Sequence, residues 1–159
     1  MFRAGDRILH PLHGVGTVEK VVKQEVLGQI QEYYSVDLTM KRMKVMIPTD
    51  KCEEVGVRKI TKSAQIEEVF STVKGKKMTD MPTNWNRRYK HNLDKIKTGD
   101  LKEAAEVFRS LRQKENKKGL SMGEKKMLDN VRQLLVGEYA YSKNMKMEDA
   151  LSFVEKALH

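Results

Sequence analysis

The spacing of apolar residues changes period near Val57, and no other feature of the chain constrains its fold as tightly. Upstream of that point, "DRILH", "GVGTVEKVVKQEV", "QEYYSVDL" and "KRMKVMIPTD" are rich in Val, Ile, Tyr and Thr and are separated by turn residues, the composition of short strands. In "MKVMIP", Met43, Val45 and Ile47 alternate with Lys44 and Met46, the period of two of a half-buried strand. Gly14 and Gly16 fit a tight corner, Gly28 fits a hairpin tip, and Pro48 closes the last strand. Four or five short antiparallel strands in so small a segment predict a little β-barrel. Downstream the period is helical. A helix is expected from Ser63, with Ile66, Val69, Phe70 and Val73 on one face. Asp100 opens another, with Glu103 three positions on and Gly119 as its stop, and Ser121 with Glu124 matches a capping box. Met147, Leu151, Val154 and Leu158 recur at helical spacing in the last segment. The expectation is therefore an α+β multidomain chain, with an antiparallel β-barrel over 1–60 followed by an all-α compact helical domain over 61–159. "KGKKMTDMP" is its most loop-like piece.

Charge adds a function class. The 159 residues carry a net charge of +9, which favours polyanionic partners. The excess is local: between Lys74 and Lys97, eight cations (Lys74, Lys76, Lys77, Arg87, Arg88, Lys90, Lys95, Lys97) meet only Asp80 and Asp94. No apolar run approaches the roughly 18 residues of a membrane span, and the N-terminus lacks a secretory h-region. The single Cys52 suits a reducing compartment, so a cytoplasmic location is expected. His10 and His13 in "HPLHG" lack a third and fourth ligand and read as turn histidines, with no metal site. There is no phosphate-binding Gly loop and no clustered Cys/His set. Glu53–Glu54 and Glu67–Glu68 read as solvated charges. Neither an enzyme nor a cofactor is expected.

The stretch "PTNWNRRYK" places the only tryptophan among these cations. Pro82 disfavours helix at Met81, and Thr83 or Asn84 can cap a helix running through about Lys97. Trp85, Tyr89, Leu93 and Ile96 then fall within one sector. Periodicity alone makes Trp85 the first member of a core stripe. Its place in the first turn instead lets it project past the bundle, beside free N–H groups that suit phosphate, as an apolar wedge flanked by cations.

"PTNWNRRYK", "GLSMGEKKMLDNVRQLLVGE" and "GDRILHPLHGVGTVE" together resemble the CarD/CdnL family of bacterial transcription regulators, over essentially the whole chain. The resemblance implies a Tudor-like N-terminal domain, shared with transcription-repair coupling factors, that docks on the RNA polymerase β subunit. It also implies a helical domain at the upstream edge of the promoter bubble, whose tryptophan wedges into the minor groove and hinders bubble collapse. Carried over by motif, Trp85 is the wedge, Arg87, Arg88 and Lys90 grip phosphates beside it, and Lys125 in "GEKKML" is a further DNA contact. Gln24 and Met46 stand where the family places arginines that contact polymerase, and Lys44 shares a strand face with Met46. Those three are the expected docking residues. The coupling factor's motor domain has no counterpart here. The expected partners are the β subunit and promoter DNA, read with little sequence specificity by a monomer that associates with the nucleoid through polymerase. The alternative is a free-standing architectural DNA-binding protein that acts without polymerase.

Overall fold

Each of the four strand-like runs forms a strand, and a fifth follows them. The computed structural model describes residues 1–77 and 81–159, so Met78, Thr79 and Asp80 of the expected loop "KGKKMTDMP" lie outside the described residues. The strands are β1 (Arg7–His10), β2 (Gly14–Val26), β3 (Gln29–Leu38), β4 (Met43–Pro48) and, after a single turn of helix α1 (Cys52–Val55), β5 (Arg58–Lys59). They form one antiparallel sheet in the order β4-β3-β2-β1-β5. A register shift between Val18 and Lys20 marks a bulge in the long strand β2, the device that bends a sheet and raises its twist. The bent sheet gathers Ile8, Val18, Tyr34, Val36, Leu38, Ile47, Cys52 and Val57 into one buried cluster, the inside of the small barrel. Gly28 stands at the β2–β3 tip with positive φ, as does Leu27 before it, the backbone twist that a two-residue hairpin turn demands. Gly16 departs from its expected corner. It lies within β2 opposite Ile8, where a Cβ would come within 2.6 Å of Val36 Cγ1; a larger residue would push β3 off the core.

The helices are α2 (Ser63–Gly75), α3 (Trp85–Lys97), α4 (Leu101–Lys117), α5 (Met122–Lys143) and α6 (Met147–Ala157). The starts of α3, α4 and α5 follow the expected chemistry. Asn84 accepts from the Arg87 amide, Asp100 from that of Glu103, and Ser121 with Glu124 forms the reciprocal capping box. Among the described residues no helix is long and apolar enough to cross a membrane. In α6 Ala150 and Val154 are buried, as is Leu158 just past its end, whereas Leu151 faces outward. The spacing had selected Leu151 because a hydrophobicity count overlooks a small alanine.

Sheet and helices meet along α5, which is buried on every side from Leu134 to Ala140. Alternation along β1 explains how. Ile8 points into the barrel, while Leu9, and Val15 opposite it, point into the helical core. Gly137 faces the sheet, where a Cβ would make an ordinary contact with Val15 Cγ2 at 3.7 Å. Its neighbour Glu138, 1% exposed, accepts both terminal nitrogens of Arg58 (2.6 and 2.9 Å) and the Thr61 amide (2.7 Å). Arg58 Nε donates to the Gly99 carbonyl at 2.6 Å. Gly99 has positive φ, and a Cβ there would collide with the Gly56 carbonyl. A bidentate ion pair and two close-packed glycines thus join the end of the sheet to the α3–α4 corner and the middle of α5.

Candidate functional site

Helix α3 starts on the outside of the bundle and runs inward. Ile96 is buried and Tyr89 and Leu93 pack partly against the helical core, but Trp85 at the open end is 44% exposed and outside that cluster. Its covered half rests on two neighbours. The indole stacks on Tyr89, with ring centroids 5.4 Å apart at 20°, and its edge lies over the first turn of α5, where a Cβ on Gly123 would be 3.4 Å from Cζ2. The indole Nε1 donates to Ser121 Oγ at 2.8 Å. Two helix N-termini, those of α3 and α5, therefore lie side by side at the ring. Their unpaired N–H groups and positive dipole ends favour anions.

The expected phosphate contacts divide into two groups. Arg87 and Lys125 are exposed and have no ion-pair partner among the described residues. Lys125 sits one turn from the ring's support, its amide bonded to the Ser121 carbonyl. Lys90 is exposed and pairs with Asp94 at 2.9 Å. Its hydrogen bond holds the Asp94 carboxyl below the usual range. An exposed pair of this kind is weak and readily exchanged for a phosphate.

Arg88 is different, and its expected role is corrected here. Only 8% exposed, it forms a two-pronged pair with the buried Glu124 (Nε to Oε2 2.7 Å, Nη2 to Oε1 3.1 Å). Its remaining nitrogen donates to the Thr83 carbonyl at 3.0 Å and, at 3.4 Å, to that of Pro82. With its donors engaged inward, Arg88 braces the start of α3 and is not placed to grip a phosphate. Burial pushes the Glu124 carboxyl upward, but hydrogen bonds from Arg88 and Ser121 outweigh it and leave the pKa at about 2. The hydrogen bond to Glu124 in turn raises that of Arg88. The pair is thus ionised throughout the physiological range. Lys114 Nζ adds a second cation 3.6 Å from Glu124.

A basic surface that the sequence reading missed continues from this point. Lys114, Lys117 and Lys118 at the end of α4 share a cleft with Lys76, Lys77 and Arg109 beside Pro82 and Thr83. The signal was present in "ENKKG", but cations in a last helical turn are ordinarily explained by the helix dipole. Between β1 and β2, His10 takes part in its own turn. Its Nδ1 accepts the Leu12 amide at 3.0 Å, and burial holds its pKa down to about 4.

The three expected docking residues share one sheet face. Register sets Gln24 opposite Gln31, Met46 opposite Ser35 and Lys44 opposite Asp37, while Tyr34, Val36 and Ile47 between them turn inward to the barrel core. Met46 is 42% exposed, and Lys44 pairs with Glu19 of the bulge at 3.1 Å. Through the pairings of Asp37 with Thr17 and of Arg7 with Thr17, this face continues into the one that buries Leu9 and Val15 against α5. One face thus meets the helices at one end and stays open at the other.

Comparisons with known proteins match both halves. The family described as "CarD, C-terminal domain" matches residues 68–155, and that described as "CarD-like/TRCF RID domain" matches residues 2–61. A Bacillus subtilis (strain 168) protein named "Putative transcription factor YdeB" is 37% identical over 153 residues, which cover 96% of this chain and 99% of that one. The solution NMR structure of the 72-residue N-terminal domain of Myxococcus xanthus CarD is 32% identical, covers 37% of this chain and 79% of that one, and superposes with a TM-score of 0.33.

Proposed function

Because the chain belongs to the CarD/CdnL family of transcription factors, we propose that it docks on the RNA polymerase β subunit through its sheet and steadies the open promoter complex with Trp85. The observation that carries this reading is the half-exposed indole at the junction of two helix N-termini, with the exposed cations Arg87, Lys90 and Lys125 beside it. An aromatic face replaces the stacking lost where bases part, and cations hold the backbone on either side. It acts without catalysis. The division of labour falls at the end of the sheet, near residue 60: the open face bearing Gln24, Lys44 and Met46 meets polymerase, and the helices meet DNA. Docking raises the local concentration of the helical half over the fork, so weak contacts suffice.

The free protein is accordingly expected to bind duplex DNA weakly and with little sequence preference. Three phosphate contacts imply a slope of log affinity against log salt of about −2.7, at roughly −0.9 per contact. Replacing Arg87 and Lys90 with alanine should flatten that slope to about −0.9 and weaken all sequences alike. Tight binding at physiological salt, or discrimination among duplex sequences, favours a free-standing architectural protein instead.

On the sheet side, Lys44→Glu with Met46→Glu should reduce retention of the full-length protein on core polymerase roughly 5- to 30-fold, the effect of losing a central contact of about 1–2 kcal/mol. Circular dichroism should remain unchanged, since both side chains point away from the barrel core. Undiminished retention excludes this face as the docking surface.

A further inference from the structure

We propose that Ser121 is a positioning residue for the wedge: its hydroxyl holds the indole of Trp85 in place in the free protein and occupies the ring's only hydrogen-bond donor.

The bonding capacity of the hydroxyl is fully used. Ser121 Oγ accepts from Trp85 Nε1 at 2.8 Å and from the Glu124 amide at 3.3 Å, and donates to Glu124 Oε1 at 3.1 Å. A hydroxyl has two lone pairs and one proton, so nothing remains for a competitor. The carboxylate behind it is itself fixed by Arg88. A continuous chain therefore runs from a buried guanidinium through a carboxylate and a hydroxyl to the exposed ring. Tyr89 supports one face of that ring, and Gly123 leaves room for its edge. The helix cap is thus used a second time, because Ser121 also caps α5.

Two consequences follow. A ring held in advance needs no ordering at the fork, so more of its contact energy appears as binding. A ring whose N–H is occupied offers bases a stacking surface and no donor, so it is indifferent to sequence where it inserts. Both consequences for DNA rest on the wedge reading above; the positioning itself does not.

Trp85 is the only tryptophan, so fluorescence of the intact protein reports this ring alone. Ser121→Ala should add a fast component to its time-resolved anisotropy and raise its quenching by acrylamide, and Ser121→Thr, which keeps the hydroxyl, should resemble the wild type. Unchanged anisotropy in Ser121→Ala overturns the positioning role. The same variants are then tested for open-complex lifetime with polymerase. Ser121→Ala should shorten it roughly three- to tenfold, the size of one lost hydrogen bond, and Ser121→Thr should restore it. In a Trp85→Phe background, which lacks the N–H, Ser121→Ala should change the lifetime less than about twofold. An equal loss in both backgrounds assigns the effect to the α5 cap and overturns the proposal. If the ring loosens in Ser121→Ala but even Trp85→Ala leaves the lifetime unchanged, the positioning stands and the wedge reading fails.

Discussion

Glu138→Ala is expected to destabilise the protein by about 3–5 kcal/mol, the range for breaking a buried ion pair from one side. The carboxylate is 1% exposed and accepts from Arg58 twice and from the Thr61 amide. Its removal leaves a guanidinium and an amide without their acceptor at the seam between sheet and helices. At roughly 2–4 °C per kcal/mol for a chain of this size, thermal unfolding followed by circular dichroism should shift down by about 6–20 °C. Arg58→Met combined with Glu138→Leu should recover much of the loss, because an apolar pair of similar volume often replaces a buried ion pair without penalty. A shift of less than about 2 °C in Glu138→Ala contradicts the reading of this pair as the clamp. The clamp also has a functional meaning. It fixes the open sheet face relative to Trp85, so Glu138→Ala, assayed well below its melting temperature, should still dock on polymerase yet lose part of its effect on open complexes.

Trp85→Ala separates support from function at the ring itself. A fully exposed wedge would cost less than about 1 kcal/mol to truncate, as at other exposed sites. The structure raises that expectation. Half of the ring is covered by Tyr89, Gly123 and the Ser121 hydroxyl, so truncation should cost about 2 kcal/mol, half the 3–5 of a fully buried aromatic. The functional loss should be separate from this folding cost and comparable to it in size. Stacking of a base on an aromatic ring is worth about 1–3 kcal/mol, so open-complex lifetime should fall by roughly 5- to 150-fold, while retention on polymerase stays unchanged. Trp85→Phe should recover part of the lifetime because it keeps a smaller stacking face.

Local chemistry was legible in the sequence, and long-range pairing was not. Strand β2 runs from Gly14 to Val26, as its composition and flanking turn residues indicated. The starts of α3, α4 and α5 follow from Asn84, Asp100 and Ser121, residues whose side chains satisfy the first free amides. Strand β5 escaped because two residues carry no period. The burial of Leu9 escaped because both faces of β1 are covered, so Ile8 and Leu9 are apolar alike. Arg88 was misread for a related reason. In "WNRRYK" it sits among exposed cations, and its partner Glu124 lies 36 residues away on another helix. The same holds for Arg58 and Glu138, 80 residues apart. An ion pair between distant elements leaves no local trace. At Trp85 the apolar spacing of α3 was read correctly, but spacing cannot tell where a stripe leaves the core; only the packing of α5 against the first turn does so.

The wedge is tested most directly by the decay of preformed open complexes after a competitor blocks rebinding of polymerase. The assay compares no added protein, wild type and Trp85→Ala, with both proteins at concentrations that saturate docking. Wild type should slow the decay, and Trp85→Ala should return it most of the way to the rate seen without added protein, with docking intact. Decay slowed equally by both, despite a melting temperature lowered in Trp85→Ala, would make the ring a structural residue and contradict the account.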